Sequence, residues 1–486
     1  MTPDKLSIKI DEIVSSFESR FANQVGKTQG AVFDKIQVLL NRLELNADGT
    51  IKQNQANRKI LARADEALER ALKQSGYYAS LDATASSIGA LTGANSAYFK
   101  TLVDGFKPSA QYIKTLQSQT ITQLEDMLAN DGLETVLKAP IRNILNQNIN
   151  TGASYNDLLK QLRTFITGNE DVEGKLMRYS KQITTDSLFN YSRAFQESVS
   201  QKTGLEWVQY VGGAVKDSRN FCLSRMGGYY KKEDVEKWAK QNWAGKREGT
   251  TASTIFIYAG GYNCRHQIIY VSEAAVPKVN KQSKELIARA KTVGQELQDM
   301  GEKVAKKYNA EITPLNHKGY ESMVRKANDE LKGNVFRVKD AVRNTIVTDA
   351  ENIKDVANDV GKFGVKGLKV QNYDSGYRGY ITNPRLSNGV IGEIQVNTHE
   401  MIFAKEEPTI AKMIIGEDKW NEIAKKTGLP GGLGHKYYEQ DRKIIIDPEK
   451  PDPINDQINL KLKDEIREKS RAYYSKFYYS YPKSWP

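Results

Sequence analysis

Cysteine is nearly absent: Cys222 and Cys264 are the only two in 486 residues. A disulfide framework is therefore excluded as the basis of the fold. No uninterrupted apolar run approaches the ~18 residues that a membrane-spanning helix requires. The opening stretch, MTPDKLSIKIDEIV, lacks the apolar core of a secretion signal. The expectation is a chain made and folded in a cytoplasm, with no membrane span, that leaves by some route other than a signal peptide. No internal repeat at solenoid periods is visible. Over the first 200 residues glycine is sparse and proline rarer still, which leaves little to interrupt a helix.

Hydrophobic residues make up 39% of the chain and charged ones 27%, enough apolar content for packed cores. Lys and Arg outnumber Asp and Glu by 71 to 59, a net charge of +12. A surplus of that size suits contact with polyanions, although it also suits a solvated basic surface. The length implies about three domains. Residues 1–107 read as a helical region, with apolar residues at helical spacing in Ile8, Ile10, Ile13, Val14 and Phe17. The texture changes near residue 205, where Trp207, Val208, Tyr210 and Val211 form a strand-like run closed by Gly212 and Gly213. Residues 276–284, with a proline and polar side chains, read as a linker. Beyond them, helices and strands alternate, as in an α/β domain with a mixed sheet. The tail, residues 449–486, interleaves aromatics with Lys and Arg; this suits single-stranded nucleic acid, and equally suits docking on the protein's own surface.

Cys222, Cys264 and His266 leave three readings open: buried thiols packed as small hydrophobes, a metal site, or a Cys/His nucleophile pair. A structural Zn²⁺ takes four ligands, for which Asp217 is a nearby candidate, while the nucleophile reading lacks a third orienting group. Cys264 and His266, two apart, would share a face if they lay on a strand. The surrounding segments YSRAFQESVSQKTGLEWVQYVGG, DSRNFCLSRMGGYY and GGYNCRHQIIYVSE resemble, in order and spacing, the Mu F-like phage head morphogenesis family. The matching positions are Asp217, Arg219 and Cys222, then Asn263, Cys264, Arg265 and His266, within a domain spanning residues 108–275. That resemblance implies a small α+β domain in a minor head protein, portal and capsid partners, a place in the virion head interior and entry into a bacterial cytoplasm with DNA.

The C-terminal third carries the chemistry. Lys318, Ser322 and Lys326, four apart, would line one stripe of a helix and could grip a polyphosphate or simply face solvent. Asp340 and Arg343 lie in a strand-like run, followed by Gly376, Tyr377 and Arg378. Glu393, Gln395, Asn397, Thr398 and His399 come next, and then His435 and Tyr438. An acid inside the apolar run VIGEIQV needs a reason. The series resembles the RelA/SpoT synthetase family over residues 285–448, a nucleotidyltransferase-type fold. The resemblance implies pyrophosphate transfer from ATP to a ribose 3′-hydroxyl. Physically, such a reaction needs hard carboxylate oxygens for Mg²⁺, for which Asp340 and Glu393 qualify, with Glu393 also placed to take the hydroxyl proton. It needs fixed cations for the phosphates, here Lys318, Lys326, Arg343 and Arg378, assisted by Ser322. The acceptor would meet Tyr377, Gln395, Asn397, Thr398, His435 and Tyr438, with the tyrosine ring suited to stacking.

Three positions depart from the family pattern: Arg343 follows Asp340 by three residues rather than five, Asn397 stands where arginine is common, and Glu439 where a basic residue is. They leave the acceptor open among GDP, GTP, another nucleotide and a tRNA 3′ end. The whole reads as an α+β multidomain chain in which a head-assembly module carries a toxic effector, with an immunity protein as a natural partner. The alternative is a purely structural head protein that contacts DNA or nucleotides without turnover.

Overall fold

The computed structural model describes residues 1–215, 217–444 and 453–481. They form two compact units, 1–276 and 277–486, each with helices and a sheet. Among the described residues no helix is long and apolar enough to cross a membrane.

In the first unit a 38-residue helix, Pro3–Leu40, begins where the Thr2 hydroxyl accepts from the Lys5 N–H. Leu6, Ile10, Val14, Phe17, Phe21 and Val25 recur every three or four residues and are all buried, whereas Ile8 is exposed. The helices Ala64–Gln74, Ala83–Leu102 and Lys175–Thr203 pack against this stripe. Strand β1 (Trp207–Val211) pairs antiparallel with both β2 (Tyr229–Lys231) and β3 (Gln267–Val271). Because helix Pro3–Leu40 also contacts β1 and β3, residues 1–107 and 108–275 share one packed unit and do not separate as read from sequence.

The second unit starts at Pro277, within the stretch expected as a linker. That stretch is instead the first part of helix Lys278–Thr292, with Asn280, Ser283 and Leu286 buried. Its sheet contains β4 (Glu311–Ile312), β5 (Asn316–His317), β6 (Val342–Thr348), β7 (Gly364–Asn372), β8 (Arg378–Pro384) and β9 (Glu393–Thr398). The strand order is β4-β6-β9-β8-β7, with β5 also on β6. Only β6 and β9 run parallel, so the sheet is mixed, as the alternating pattern suggested. One face, carrying Val342, Ile346, Ile394 and Val396, is buried against helices Gly294–Lys307 and Ile353–Gly361. The alternate residues Arg343, Glu393, Gln395 and Asn397 therefore share the other face.

The tail does not stand apart. Helix Pro453–Ser475 and the turn after it bury Tyr473, Tyr474, Phe477 and Tyr481 in the core of this unit. The boundary drawn at residue 448 lies outside the described residues. At Gly376, φ is +88°, and a side chain there would meet the Arg471 backbone, so glycine allows the tail helix to close over the turn before β8. Aromatics so committed to the core are not free to stack on nucleic-acid bases.

Phe477 is fully buried while Leu462 is 45% exposed. Phe477→Ala is expected to destabilise the C-terminal unit by about 3–5 kcal/mol, and Leu462→Ala by less than about 0.5 kcal/mol. Urea denaturation of the full chain measures both; equal effects would mean that the tail is not part of the core.

Candidate active site

The parallel pairing of β6 with β9 sets Arg343 directly beside Glu393. Two residues before β6, in the approach to the strand, Asp340 is buried between two ammonium groups. Lys318 Nζ lies 2.6 Å from its Oδ2 and Lys326 Nζ 3.0 Å from its Oδ1. Burial alone would raise the Asp340 pKa, but the two lysines outweigh it and hold the carboxyl below its usual range. Lys326, reciprocally, sits above its ordinary value because the Asp340 charge, with smaller help from Glu393, outweighs its own burial.

The three-member stripe expected on one helix is divided. Helix Tyr320–Leu331 holds Ser322, half-buried, and Lys326, whereas Lys318 lies ahead of the Gly319 cap. The Lys318 N–H donates to the Ala341 carbonyl at 3.0 Å, which extends the pairing of β5 with β6. Lys318 and Lys326 converge on Asp340 all the same.

Glu393 is buried, and Gln395 Nε2 donates to its Oε1 at 2.6 Å. Desolvation raises its pKa, the Gln395 bond opposes this, and the Asp340 charge raises it further. Glu393 lines a cleft of about 450 Å³ on the open face of the sheet, together with Lys326, Arg337, Lys339, Lys369 and Tyr373. Lys339 is held below its usual pKa by partial burial and by the neighbouring charges of Lys369, Lys366, Arg337 and Lys326. Cations that repel one another around a concave surface gain from a polyanion placed between them. Arg337, Lys339 and Lys369 escaped the sequence reading because they belong to no motif segment; for Lys369 the usable signal was its place in β7, on the same face as Gln371 and Ile381.

The remaining predicted residues fall at the other end of the sheet. Asn397 Nδ2 donates to the Tyr377 hydroxyl at 2.6 Å, and its Oδ1 accepts from the Tyr481 hydroxyl at 3.1 Å. The Tyr377 ring is only 7% exposed, parallel to Tyr373 and edge-on to Tyr474. Tyr373, 54% exposed, is the more accessible ring for a base. Thr398 caps helix His399–Lys405 by accepting from the Met401 N–H and also meets the Ser480 hydroxyl at 2.9 Å, a structural placement. The imidazole of His399 contacts Glu311 at 2.6 Å. His435 lies near Glu406, whose carboxyl burial would raise but Lys405 holds low, with Arg343 and His435 contributing. Tyr438 is exposed beside Arg442. Arg378 is not brought to the group of Lys318, Lys326 and Arg343. It starts β8 at the end away from Glu393, out of phase with Ile381, and its guanidinium lies 3.5 Å from the Tyr478 ring centroid.

In the first unit the sulfurs of Cys222 and Cys264 and a ring nitrogen of His266 lie within 4.8 Å of one another. Neither Cys264 nor His266 is on a strand, since β3 begins at Gln267, so a loop and not strand alternation brings them together. Asp217 is exposed and not part of the group.

Because the fold raises the Glu393 pKa, the stability this side chain contributes is complete below the ordinary glutamate range and is lost as pH rises through the raised value. Glu393→Gln is therefore expected to be more stable than the unsubstituted protein at neutral pH, with the difference vanishing near about pH 4. Asp340→Asn is expected to cost about 3 kcal/mol, because it leaves two ammonium groups facing each other without a counter-charge. Thermal unfolding across pH checks both; a Glu393→Gln protein that is less stable at neutral pH contradicts the burial argument.

No family model matches the chain. A 181-residue stretch, 37% of the chain, is 35% identical to the (p)ppApp synthetase toxin Tas1 of Pseudomonas aeruginosa, and the chain spans 38% of that protein's length. The crystal structure of the Type VI effector Tas1 with its immunity protein is 32% identical, covering 40% of this chain and 96% of that one, with a TM-score of 0.33. The small alarmone synthetase 1 of Bacillus subtilis, bound to its product pppGpp, is 16% identical, covering 40% and 89%, with a TM-score of 0.18. Sequence identity carries the assignment: over that stretch the chain is homologous to a RelA/SpoT-like synthetase toxin.

Proposed function

We propose that the C-terminal unit transfers pyrophosphate from ATP to the 3′-hydroxyl of a nucleotide, with an adenine nucleotide as acceptor, and that the chain is a delivered toxin. The observation that carries this reading is the cleft in which Lys326, Arg337, Lys339 and Lys369 surround the buried Glu393. Lys326 and its neighbours hold the donor's phosphates, and Arg343, paired with Glu393 across the strands, adds positive charge beside the acid. The acceptor oxygen forms a bond to the β-phosphorus, the bond from that phosphorus to the α,β-bridging oxygen breaks, and AMP leaves. Glu393 takes the acceptor's proton; its raised pKa suits a group that must hold that proton briefly.

Mg²⁺ favours one or two carboxylates together with substrate phosphates. Asp340 and Glu393 would hold the ion: both are buried carboxyl groups that act on the Lys326 ammonium lining this cleft, and the ion would take the place of an ammonium group now on an Asp340 oxygen. When bound, the ion would neutralise phosphate charge. The adenine preference rests on the likeness to a (p)ppApp synthetase, and an immunity protein is a proposed partner because Tas1 has one.

For the first unit we propose a delivery role of the phage-head kind, with portal and capsid proteins as partners and the virion as location. Its support is the clustering of the motif segments: Arg219 Nη2 donates to the Tyr262 carbonyl at 2.6 Å, and Cys222 meets Cys264 and His266. Detecting the chain in purified particles checks this role, and a chain absent from particles while abundant in the producing culture contradicts it.

Incubating the full chain with labelled ATP, Mg²⁺ and adenine nucleotides, guanine nucleotides or tRNA tests the activity. Label is expected on adenine nucleotides and is expected to fall at least about a thousandfold in Glu393→Gln. Label on guanine nucleotides or tRNA alone would overturn the acceptor assignment; no transfer to any acceptor would overturn the reaction.

A further inference from the structure

Well away in sequence from the synthetase motifs, the two cysteines of the chain meet. Both are buried and unpaired by a disulfide. Cys222 follows from the short helix Asn220–Leu223, Cys264 and His266 from the loop before β3, and Tyr210 from β1. Cys264 Sγ lies 3.8 Å from His266 Nδ1, and the Tyr210 hydroxyl lies 3.3 Å from Cys222 Sγ and 3.9 Å from Cys264 Sγ. With Zn–S and Zn–N bonds of ordinary length, the edges of a tetrahedral site are about 3.8 Å between sulfurs and about 3.6 Å between sulfur and nitrogen. The Cys264–His266 separation is close to that spacing, and all three ligand atoms lie within 4.8 Å of one another.

Two further observations point to a missing ligand. His266 is 95% buried by area, its residue exposure being 5%, and Nε2 has no hydrogen-bond partner. Nδ1 is the nitrogen turned towards the sulfurs and reaches only Cys264 Sγ, at 3.8 Å, so Nδ1 is the nitrogen that an ion among the sulfurs would bond. Leaving a buried imidazole so poorly satisfied is costly unless something else bonds to it. Gly260 is the second observation. A side chain at Gly260 would lie 2.4 Å from Cys222 Sγ and 2.8 Å from Cys264 Sγ, so the backbone there is pressed against the two sulfurs and its N–H points at Cys264 Sγ from 3.3 Å.

The charges agree with this. Arg193, fully buried, donates to the carbonyls of Cys264 at 3.1 Å and His266 at 2.7 Å, placing a fixed cation next to the thiols.

We propose that Cys222, Cys264 and His266 bind one Zn²⁺ ion, closed on its fourth side by the Tyr210 hydroxyl. Soft thiolates with an imidazole select zinc over magnesium or calcium. The ion clasps the helix that carries Cys222 to the loop that leads into β3, a cross-link that the chain otherwise lacks. Enclosure of all four groups makes the site structural and not catalytic.

Metal analysis of the full chain, purified under reducing conditions without chelator, is expected to find about one zinc per chain. Cys264→Ser and His266→Gln are expected to reduce that content severalfold. Should either variant fail to fold, the unsubstituted protein decides: after metal removal, Co²⁺ is expected to give a thiolate-to-cobalt charge-transfer band that one equivalent of Zn²⁺ abolishes. Absence of zinc together with absence of that band in the reduced protein overturns the proposal. So does a chain lighter by two hydrogens with Cys222 and Cys264 peptides joined, because a disulfide then occupies the place of the ion.

Discussion

The register between two parallel strands governs the candidate site. Pairing β6 with β9 so that Arg343 faces Glu393 leaves Val342, Ile346, Ile394 and Val396 to the helices beneath the sheet. A slip of one residue would put Glu393 into that core and Ile394 into the cleft. The same register carries the run before β6 to where Asp340 meets Lys318 and Lys326. The acid in an apolar strand is therefore no anomaly. It is the one charged group on the cleft-facing side of β9, and the burial of the opposite face keeps it there.

Around that acid the protein accepts unfavourable electrostatics. Glu393 is desolvated and feels Asp340, while Lys339 is crowded by like charges. A polyphosphate with its counter-ion, the ligand proposed for this cleft, would relieve both. Desolvated and crowded charge lining a cleft is the pattern expected of a site kept for a ligand.

Much of this was legible from residue order. The strands around Arg343, Ile381 and Glu393, the helix carrying Ser322 and Lys326, and the mixed character of the sheet followed from alternation and spacing. The convergence of Lys318 and Lys326 on Asp340 was not, because Lys318 precedes the helix and reaches the acid by strand pairing, a long-range contact that local periodicity does not encode. Arg378 misled for a related reason: adjacency to Tyr377 in sequence says nothing of which sheet face each side chain takes, and Tyr478, a hundred residues on, claims its guanidinium. The aromatic tail stayed open between a nucleic-acid arm and docking on the protein's own surface, because composition cannot distinguish rings that face solvent from rings that fill a core. Phe477 and Tyr474 fill the core.

The two units ask for different chemistry from similar scarcity. In the second, hard oxygens and many cations suit phosphate; in the first, two sulfurs and an imidazole, all buried, suit a soft ion. The claim on which the toxin reading depends is that the clustered cations of the cleft are a polyphosphate site. Calorimetric titration of the full chain with a non-hydrolysable ATP analogue tests it most directly, comparing the unsubstituted protein with a Lys339→Ala, Lys369→Ala double variant. Affinity is expected to fall by at least about tenfold in the variant, and in both proteins as salt is raised. Equal, salt-independent binding by the two proteins would contradict it.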